Sequence, residues 1–179
     1  VAARAGVSKG TLYLYFSGKE ALFKAVIAEG LLPVLADGEA MLAEGAGDPA
    51  ATLKAILFSW WERIGSTPLG GIPKLVMAEA RNFPEVAEYY HAQVIRRGRA
   101  LVREALERGM AKGVFRPVDC EMAVAVAMAP LLHLAMWRHS YGGCVCNSPE
   151  MRPERYLETY FDLLMKGLAA APRTGGEGA

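Results

Sequence analysis

Apolar residues recur every three or four positions along most of this chain, which is the spacing of one buried face of an α-helix. The clearest stripe has six members: Leu53, Ile56, Leu57, Trp60, Trp61 and Ile64. No stretch alternates with a period of two, as a half-buried strand would. Turn residues divide the pattern, and the predicted helices cover residues 9–16, 19–43, 49–64, 74–82, 84–112, 119–141 and 153–168. Pro33 is expected to kink the second of these helices or to end it early. We therefore expect an all-α fold.

The first 27 residues form a distinct unit within this pattern. Small and apolar residues of a first helix precede the turn Gly6-Val7-Ser8, and an eight-residue helical pattern follows it. After another turn, a third helix opens at Lys19. Gly6 tolerates the positive φ that such a turn usually needs, and the Ser8 hydroxyl can accept a bond from a free N–H of the next helix. Two short helices joined by a tight turn are typical of a helix-turn-helix, whose second helix enters the major groove of DNA. We predict a small helix-turn-helix head followed by a larger helical-bundle body.

The second helix of this unit has two chemically different faces. Leu12 and Phe16 share one face, which is expected to bury against the preceding helix. The other face is free to meet DNA, where Thr11 offers a hydroxyl and Leu14 suits a thymine methyl group. Lysine and tyrosine side chains nearby can reach phosphates. The predicted DNA-binding residues are Ser8, Lys9, Gly10, Thr11, Tyr13, Leu14, Tyr15 and Lys19.

Spacing alone also fits an amphipathic helical hairpin with no role in DNA binding. The string AGVSKGTLYLYFSGKEALF, however, resembles the DNA-binding signature of TetR-type transcriptional regulators. In that family an AGVS turn leads into a recognition helix ending in Tyr-x-x-Phe, and a Lys-Glu pair opens the next helix. Here these are Ala5–Ser8, Tyr13–Phe16 and Lys19–Glu20. The resemblance covers residues 1–27 and implies a double-stranded DNA operator as a partner.

The sequence departs from that family at its start. TetR-type regulators carry another helix before this motif, often preceded by a basic arm, whereas this sequence begins inside the expected first helix of the helix-turn-helix, with Val1. We therefore expect the chain to be part of a longer protein. The predicted division is a DNA-binding head over residues 1–32, incomplete at its N-terminus, a ligand-binding and dimerisation body over 33–170, and a flexible tail over 171–179.

Composition adds little to this picture. The chain has 179 residues, of which 53% are hydrophobic, so a sizeable core is expected and wholesale disorder is not. The net charge of +1 carries no indication of nucleic acid, although the first 30 residues hold four basic side chains against two acidic ones. No secretory segment is recognisable, which favours a cytoplasmic location.

The segment Met122–Trp137 is apolar except for His133. Its 16 residues are fewer than the ~20 that a membrane span needs, and Pro130 interrupts it, so no membrane association is expected. A helix that is apolar nearly all round is buried on more than one side. We expect the body to cover one side and a second copy of the chain to cover the other, with the helix over 153–168 completing a four-helix interface. The predicted interface residues are Leu132, Tyr160, Phe161 and Leu164.

Motifs for catalysis or metal binding are missing from the sequence. It has no phosphate loop, HExxH, GxSxG or paired carboxylates at a useful spacing, so we predict no catalytic residue and no enzymatic activity. Three cysteines, Cys120, Cys144 and Cys146, fit reduced cytosolic thiols. The CxC pair with His139 nearby also permits a metal or redox site, but without a second pair this signal is weak. No metal or cofactor is predicted.

Aromatic and methionine residues are frequent in the body. Such residues at helical spacing more often belong to the hydrophobic core than to a ligand pocket. The family resemblance implies a small molecule that enters the body and changes the spacing of two recognition helices. The polar anchors considered are His91 and His133, although either fits a hydrogen-bonded structural histidine. The predicted pocket residues are Trp60, Trp61, Met77, Phe83, Tyr90, His133, Met136 and Trp137.

The function predicted from the sequence is that of a homodimeric transcriptional repressor, released from its operator by a small hydrophobic or aromatic ligand. Two alternatives stay open at this point. One is a helical small-molecule-binding or interaction protein that does not read DNA, and the other is a thiol-based sensor.

Overall fold

A computed structural model describes residue 6 and residues 8–44, 47–141 and 151–171. The α-helices are α1 Lys9–Tyr15, α2 Lys19–Gly30, α3 Leu32–Ala43, α4 Pro49–Trp60, α5 Ile72–Glu79, α6 Pro84–Tyr90, α7 Arg96–Ala111, α8 Cys120–Tyr141 and α9 Pro153–Leu168. A 3₁₀-helix covers Pro68–Gly71. Within the described ranges the only β-pairing is an isolated bridge between Phe115 and Ala169. The predicted all-α fold, with a helix-turn-helix head and a helical body, is confirmed.

Helix caps fall where the sequence places them. The Asp48 carboxylate accepts hydrogen bonds from Ala50 N at 3.4 Å and Ala51 N at 3.1 Å, and Pro49 is the first residue of α4. Asp119 Oδ1 accepts from the backbone N–H groups of residues 121 and 122 at the start of α8. These carboxylates satisfy N–H groups that have no partner inside the helix.

The segment predicted over residues 19–43 is divided into two helices next to Pro33, where a kink or an early end is expected. α2 ends at Gly30 and α3 begins at Leu32, with Pro33 as its second residue. Proline has no N–H and its ring crowds the carbonyl four residues earlier, so it is tolerated at the start of a helix and not within one. The short helix predicted over 74–82 lies two to three residues earlier in the structure, where it begins at Ile72 and ends at Glu79.

Two long helices contain a π-helical turn that the sequence pattern does not reveal. One turn, Trp61–Gly65, continues α4, and the other, His91–Ile95, joins α6 to α7. A Cβ on Gly65 would lie 2.5 Å from Cε3 of Trp61, so the first turn closes over the indole only because residue 65 is glycine. π turns often mark functional sites, and this one places the Trp61 ring at the edge of a groove between α4 and α9.

The core of the body lies where α4 crosses α7, with α3 and α8 packed beside them. Its most deeply buried large side chains come from different helices, among them Ile27, Leu53, Leu106 and Val124. Ion pairs at the surface tie α3 to α7: Arg97 donates to both carboxylate oxygens of Glu39 at 2.9 Å. The Arg97 guanidinium lowers the pKa of Glu39. The body is thus held by one apolar core with charged pairs at its surface.

Candidate nucleic-acid interface and the faces of the body

The N-terminus of α1 is closed by Ser8. Its Oγ accepts a hydrogen bond from Thr11 N at 3.0 Å, and the Ser8 and Thr11 hydroxyls lie 2.8 Å apart. Gly6, in the turn before the helix, has φ +67°, a conformation that glycine adopts at little cost. Residues 1–5 and Val7, which complete the predicted helix-turn-helix, lie outside the described residues. The predicted cap at Ser8 is confirmed, and it fixes where α1 begins.

The face of α1 predicted to read DNA is exposed to solvent. Leu14 is 83% exposed, Tyr13 and Tyr15 are also exposed, and Gly10 leaves the backbone uncovered between them. Leu12 and Phe16, on the opposite face, are half-buried. The Lys9 side chain lies outside the described part of the structure. Leu14 can supply apolar contact to a base, and the exposed tyrosines before and after it in the sequence can supply hydroxyl donors in other directions around the helix.

Thr11 differs from this expectation, because its hydroxyl bonds to Ser8 and the side chain is half-buried. One of its hydrogen-bonding capacities is therefore used in the cap. Lys19 is exposed at the first residue of α2, where Gly18 provides no side-chain cap. The free N–H groups there favour an anion, and the lysine adds a positive charge beside them.

α2 connects this surface to the body. Lys24 lies 3.7 Å from Glu85 Oε2 on α6, and its Nζ is 5.8 Å from the centre of the Tyr89 ring. Toward its C-terminal end, Ile27 and Leu31 enter the core. A groove of about 450 Å³ opens between α2, α5 and α6, with Phe23, Val76 and Phe83 among its lining residues and Lys19 and Glu20 at its edge. The sequence pattern does not predict this groove, because it depends on how three separate helices meet.

A second surface lies between α8 and α9, which run antiparallel. Arg116 Nε donates to Gly167 O at 2.7 Å at one end, and the Tyr160 hydroxyl donates to Ala127 O further along. The two helices enclose an open groove of about 960 Å³. Val126 on α8 is 64% exposed and Leu163 on α9 is 66% exposed. An apolar groove of this size on a single chain marks an interaction surface.

Tyr160 is the main polar link between α8 and α9. Its ring is buried, and this burial raises the pKa of its hydroxyl well above the ordinary value, with Tyr156 adding to the effect. The hydroxyl therefore stays protonated and keeps donating to the Ala127 carbonyl. That bond holds the two helices in register beneath the exposed groove.

The four residues predicted for the dimer interface are divided among three places. Tyr160 and Leu164 line the groove between α8 and α9. Leu132 instead faces a small interior void, and Phe161 lines a separate groove between α4 and α9. The reason is that α8 and α9 each pack against the body as well as against each other, so neighbouring apolar residues point to different partners.

The eight residues predicted for the ligand pocket are not brought together. Among the cavities of the described residues, Trp60 lines the interior void, which has a volume of only about 30 Å³, while Trp61 and Phe83 line two different surface grooves. Met77 is 69% exposed on α5, where the sequence prediction has it lining a pocket. The interior beside Trp60 is close-packed rather than hollow.

The remaining predicted pocket residues have other neighbours. Tyr90 is buried, which raises the pKa of its hydroxyl to about 12. His133 is exposed and stacks on Tyr156 with 6.4 Å between ring centres, while Trp137 lies 4.8 Å from Tyr141. Met136, one residue before Trp137, is half-buried. His91, the other histidine considered as an anchor, is exposed.

Cys120, the cysteine that lies within the described residues, gives no sign of a site. Cys120 is half-buried at the start of α8, and desolvation, followed by the Glu107 carboxylate, raises the pKa of its thiol. A raised pKa keeps the thiol protonated and less nucleophilic. Cys144 and Cys146 lie outside the described residues. In the described part of the chain, no three His, Cys, Asp or Glu side chains are grouped as a metal site requires.

α8 is longer than the apolar segment on which the sequence argument rests. With 22 residues it is long and apolar enough to cross a membrane, and it is the one such helix in the ranges described. Val124, Ala127, Leu131 and Leu134 on one side of it are buried in the core of the body. Core helices of globular proteins have the same composition, so packing rather than length explains its hydrophobicity.

Comparisons with known proteins fit this division into a head and a body. The family described as "Bacterial regulatory proteins, tetR family" matches residues 1–26, and "Tetracyclin repressor-like, C-terminal domain" matches residues 43–141, more than half of the chain. A solved structure of a candidate TetR-family transcriptional regulator from Mesorhizobium loti MAFF303099 is similar in fold. It is 21% identical, with a TM-score of 0.68 over 94% of this chain and 84% of that chain. No protein with a curated description matches.

Proposed function

We propose that this chain, which belongs to the TetR family of bacterial transcriptional regulators, is a homodimeric cytoplasmic repressor that leaves its DNA operator when a small hydrophobic or aromatic molecule binds the body. The observation that carries the proposal is the exposed face of α1, where Leu14 lies between two exposed tyrosines. The head would comprise residues 1–32 and the body residues 33–170. A regulatory rather than catalytic role accords with this arrangement.

DNA recognition is assigned to α1 and to the start of α2. Leu14, Gly10 and the free capacity of the Thr11 hydroxyl would meet base edges in the major groove. Tyr13, Tyr15 and Lys19, with Ser8 and Lys9 at the start of α1, would hold phosphates and so fix the position of the helix on the duplex. In support of this division, Lys19 is exposed at a helix N-terminus, where both its charge and the free N–H groups favour an anion.

Dimerisation is assigned to the groove between α8 and α9. Val126 and Leu163 would pack against their copies across a two-fold axis, giving a four-helix interface. Such an interface removes exposed apolar area from water, which is the main source of association free energy. It would also set the distance between two recognition helices, so that each reads one half of a palindromic operator.

Release requires that the effector bind one spacing of the two heads better than the other. The void beside Trp60 is about 30 Å³, far smaller than the ~300 Å³ typical of ligand pockets. We therefore propose that the body opens around Trp60 and Leu132 when ligand enters. Opening would shift α4 and α8, both of which line this void.

The test begins by selecting DNA from a random pool with the full-length protein. Binding of the selected DNA is then measured by fluorescence anisotropy across a range of salt concentrations, with and without hydrophobic and aromatic compounds. We expect a palindromic sequence, steep salt dependence, and about five- to 150-fold weaker binding with the effector, the usual range of allosteric coupling. Binding without sequence preference would contradict the proposal and leave a helical ligand-binding or interaction protein. Variants of Lys166, an exposed lysine on α9 of the body, serve as controls.

A further inference from the structure

The body contains two π turns, and they are held in different ways. The first, Trp61–Gly65, is closed by side chains as well as by its backbone. The Ser66 hydroxyl donates to Glu62 O at 2.8 Å, and the Thr67 hydroxyl donates to Ile64 O at 2.9 Å. Because both hydroxyls bond to carbonyls inside the turn, they hold its widened backbone in place.

The second π turn, His91–Ile95, is held by its backbone. The N–H of Arg96 donates to the His91 carbonyl across the turn. In the ranges that the structure describes, no side chain donates a hydrogen bond to a carbonyl of this turn. Val94 is its one buried residue, and Ile95 is 37% exposed. Backbone hydrogen bonds that face water and carry few apolar contacts open at little cost, so this turn is the weaker of the two.

The second turn holds one residue more than an α-helix needs there. A π turn closes its hydrogen bonds over five residues instead of four. At about 100° per residue, an unbroken α-helix would place Tyr90 and Val86 about 80° and 120° away from Gly98 around the axis. With one residue fewer between them, both would lie within about 20° of Gly98. All three are buried, so the π turn brings α6 and α7 onto one buried face.

The helices on the two sides of this turn have different surroundings. α7 is fixed to the core through Leu106, which is fully buried, and through the pair of Arg97 with Glu39 on α3. α6 instead lies against α2, where Glu85 Oε2 is 3.7 Å from Lys24 Nζ. The groove of about 450 Å³ between α2, α5 and α6 leaves free space beside α6. The weak turn therefore separates the core from the segment that contacts α2.

We propose that the second π turn is a flexible joint at which α6 tilts relative to α7 and moves α2 with it. α2 begins at Lys19, beside the recognition helix, so a tilt of α6 changes the position of the head relative to the core. The first π turn, closed by two hydroxyls, stays rigid. The consequence for DNA recognition rests on the proposed function, whereas the joint itself does not.

Hydrogen exchange of the wild-type full chain, followed by NMR without DNA, compares the two turns directly. We expect the amides of residues 94–96 to exchange at least tenfold faster than those of residues 64–66, because only the first turn is closed by side chains. Equal protection of the two turns would overturn the inference. This measurement needs no variant, so it stands even if a variant fails to fold.

Deletion of Ala92 removes the extra residue and should leave a continuous α-helix with the same buried face. We expect this variant to keep a cooperative thermal transition, and we expect the amides of residues 94–96 to exchange at least tenfold more slowly than in the wild type. The matched control is deletion of Ala100, an equally exposed alanine in the regular part of α7. That deletion turns the two parts of the buried face apart by about 100° and should abolish the cooperative transition. Loss of the transition in both variants would show that the second turn holds no extra residue, and it would contradict the proposal.

The effect on the head is measured with two DNA duplexes. One carries the operator selected from a random pool, and the other has one base pair inserted between its half-sites. We expect the wild type to bind both within about threefold, and the Ala92 deletion to prefer one of them at least tenfold. Equal discrimination by the two proteins would overturn the link between the joint and the head. If the wild type binds neither duplex, the proposed function fails, and hydrogen exchange still decides whether the joint exists.

Discussion

The exposed face of α1 and the groove between α8 and α9 both present large apolar side chains to solvent, but their neighbours differ. Leu14 on α1 has an exposed tyrosine on either side of it in the sequence and Lys19 five residues later, and these side chains are of the types that can bond to phosphates. Val126 and Leu163 lie along a groove whose charged residues, Arg116, Asp119 and Arg155, belong to its two ends. Exposure alone therefore does not identify a partner. The groups around the exposed residue indicate whether it meets a polyanion or another apolar surface.

The largest expected effect comes from placing a charge in the groove of the body. Val126→Glu should raise the dimer dissociation constant at least 100-fold, about 3 kcal/mol, because two carboxylates would be buried near the two-fold axis. Analytical ultracentrifugation measures this change. Met77→Glu, at an equally exposed residue on α5, is the matched control and should leave the dimer intact. Wild-type protein that sediments as a monomer at micromolar concentration would contradict the assigned interface.

The second prediction concerns the bond beneath that groove. Tyr160→Phe should lower the free energy of unfolding by about 1–2 kcal/mol, because the buried hydrogen bond from the Tyr160 hydroxyl to the Ala127 carbonyl is lost. The pKa of Tyr160 is raised in the folded state, so its contribution is fully present below about pH 10 and is lost as the pH rises through the folded value. Denaturant unfolding at pH 8 and pH 11 should show a smaller difference between variant and wild type at the higher pH.

On the head, removing a positive charge should weaken binding to every DNA sequence alike. Lys19→Ala is expected to reduce affinity about five- to tenfold and to lower the salt slope by about one, as for the loss of one phosphate contact. Lys166→Ala on α9 is the matched control. If Lys19→Ala changed the preferred operator and left the salt slope intact, Lys19 would be a base-reading residue rather than a phosphate contact.

The smallest expected effect comes from the cap of α1. Ser8→Ala should destabilise α1 by about 1 kcal/mol, since Thr11 N loses its acceptor, and should weaken operator binding about fivefold. Ser8→Asn preserves a side-chain acceptor and should restore most of the binding. Hydrogen exchange of the α1 amides separates loss of helix from loss of a direct contact. Unchanged exchange with weakened binding would show that Ser8 acts on DNA directly.

Much of the fold can be predicted from local features of the sequence. Asp48, Pro49 and Asp119 mark the starts of two helices, because helix caps depend on residues that are close in the sequence. α9 also begins and ends where its apolar stripe predicts. The TetR-type resemblance of the first 27 residues is confirmed for the same reason, since the motif lies in one continuous segment.

Features that depend on how helices meet could not be predicted in this way. α8 is apolar on nearly every side, so its sequence pattern does not show which side faces the core. It therefore does not predict that Leu132 faces inward while Val126 faces out. The pocket prediction places Trp60, Trp61 and Met77 together because of their residue types. Their side chains instead line or face separate surfaces. The π turns at residues 61–65 and 91–95 rotate the residues that follow them relative to the preceding helix. The spacing of apolar residues in the sequence does not predict that rotation.

The break between α2 and α3 at Leu31 can act as a pivot, so that a small movement there becomes a larger one at the far end of α2. α2 has 12 residues and is therefore about 18 Å long, with its far end at Lys19 beside the recognition helix and its near end fixed by Ile27 and Leu31 in the core. A tilt of about 10° at that pivot would carry Lys19 through about 3 Å, close to the rise of one base pair. If the head binds DNA as proposed, a sub-ångström rearrangement in the body, magnified along this arm, would be enough to move Lys19 out of step with the DNA helix.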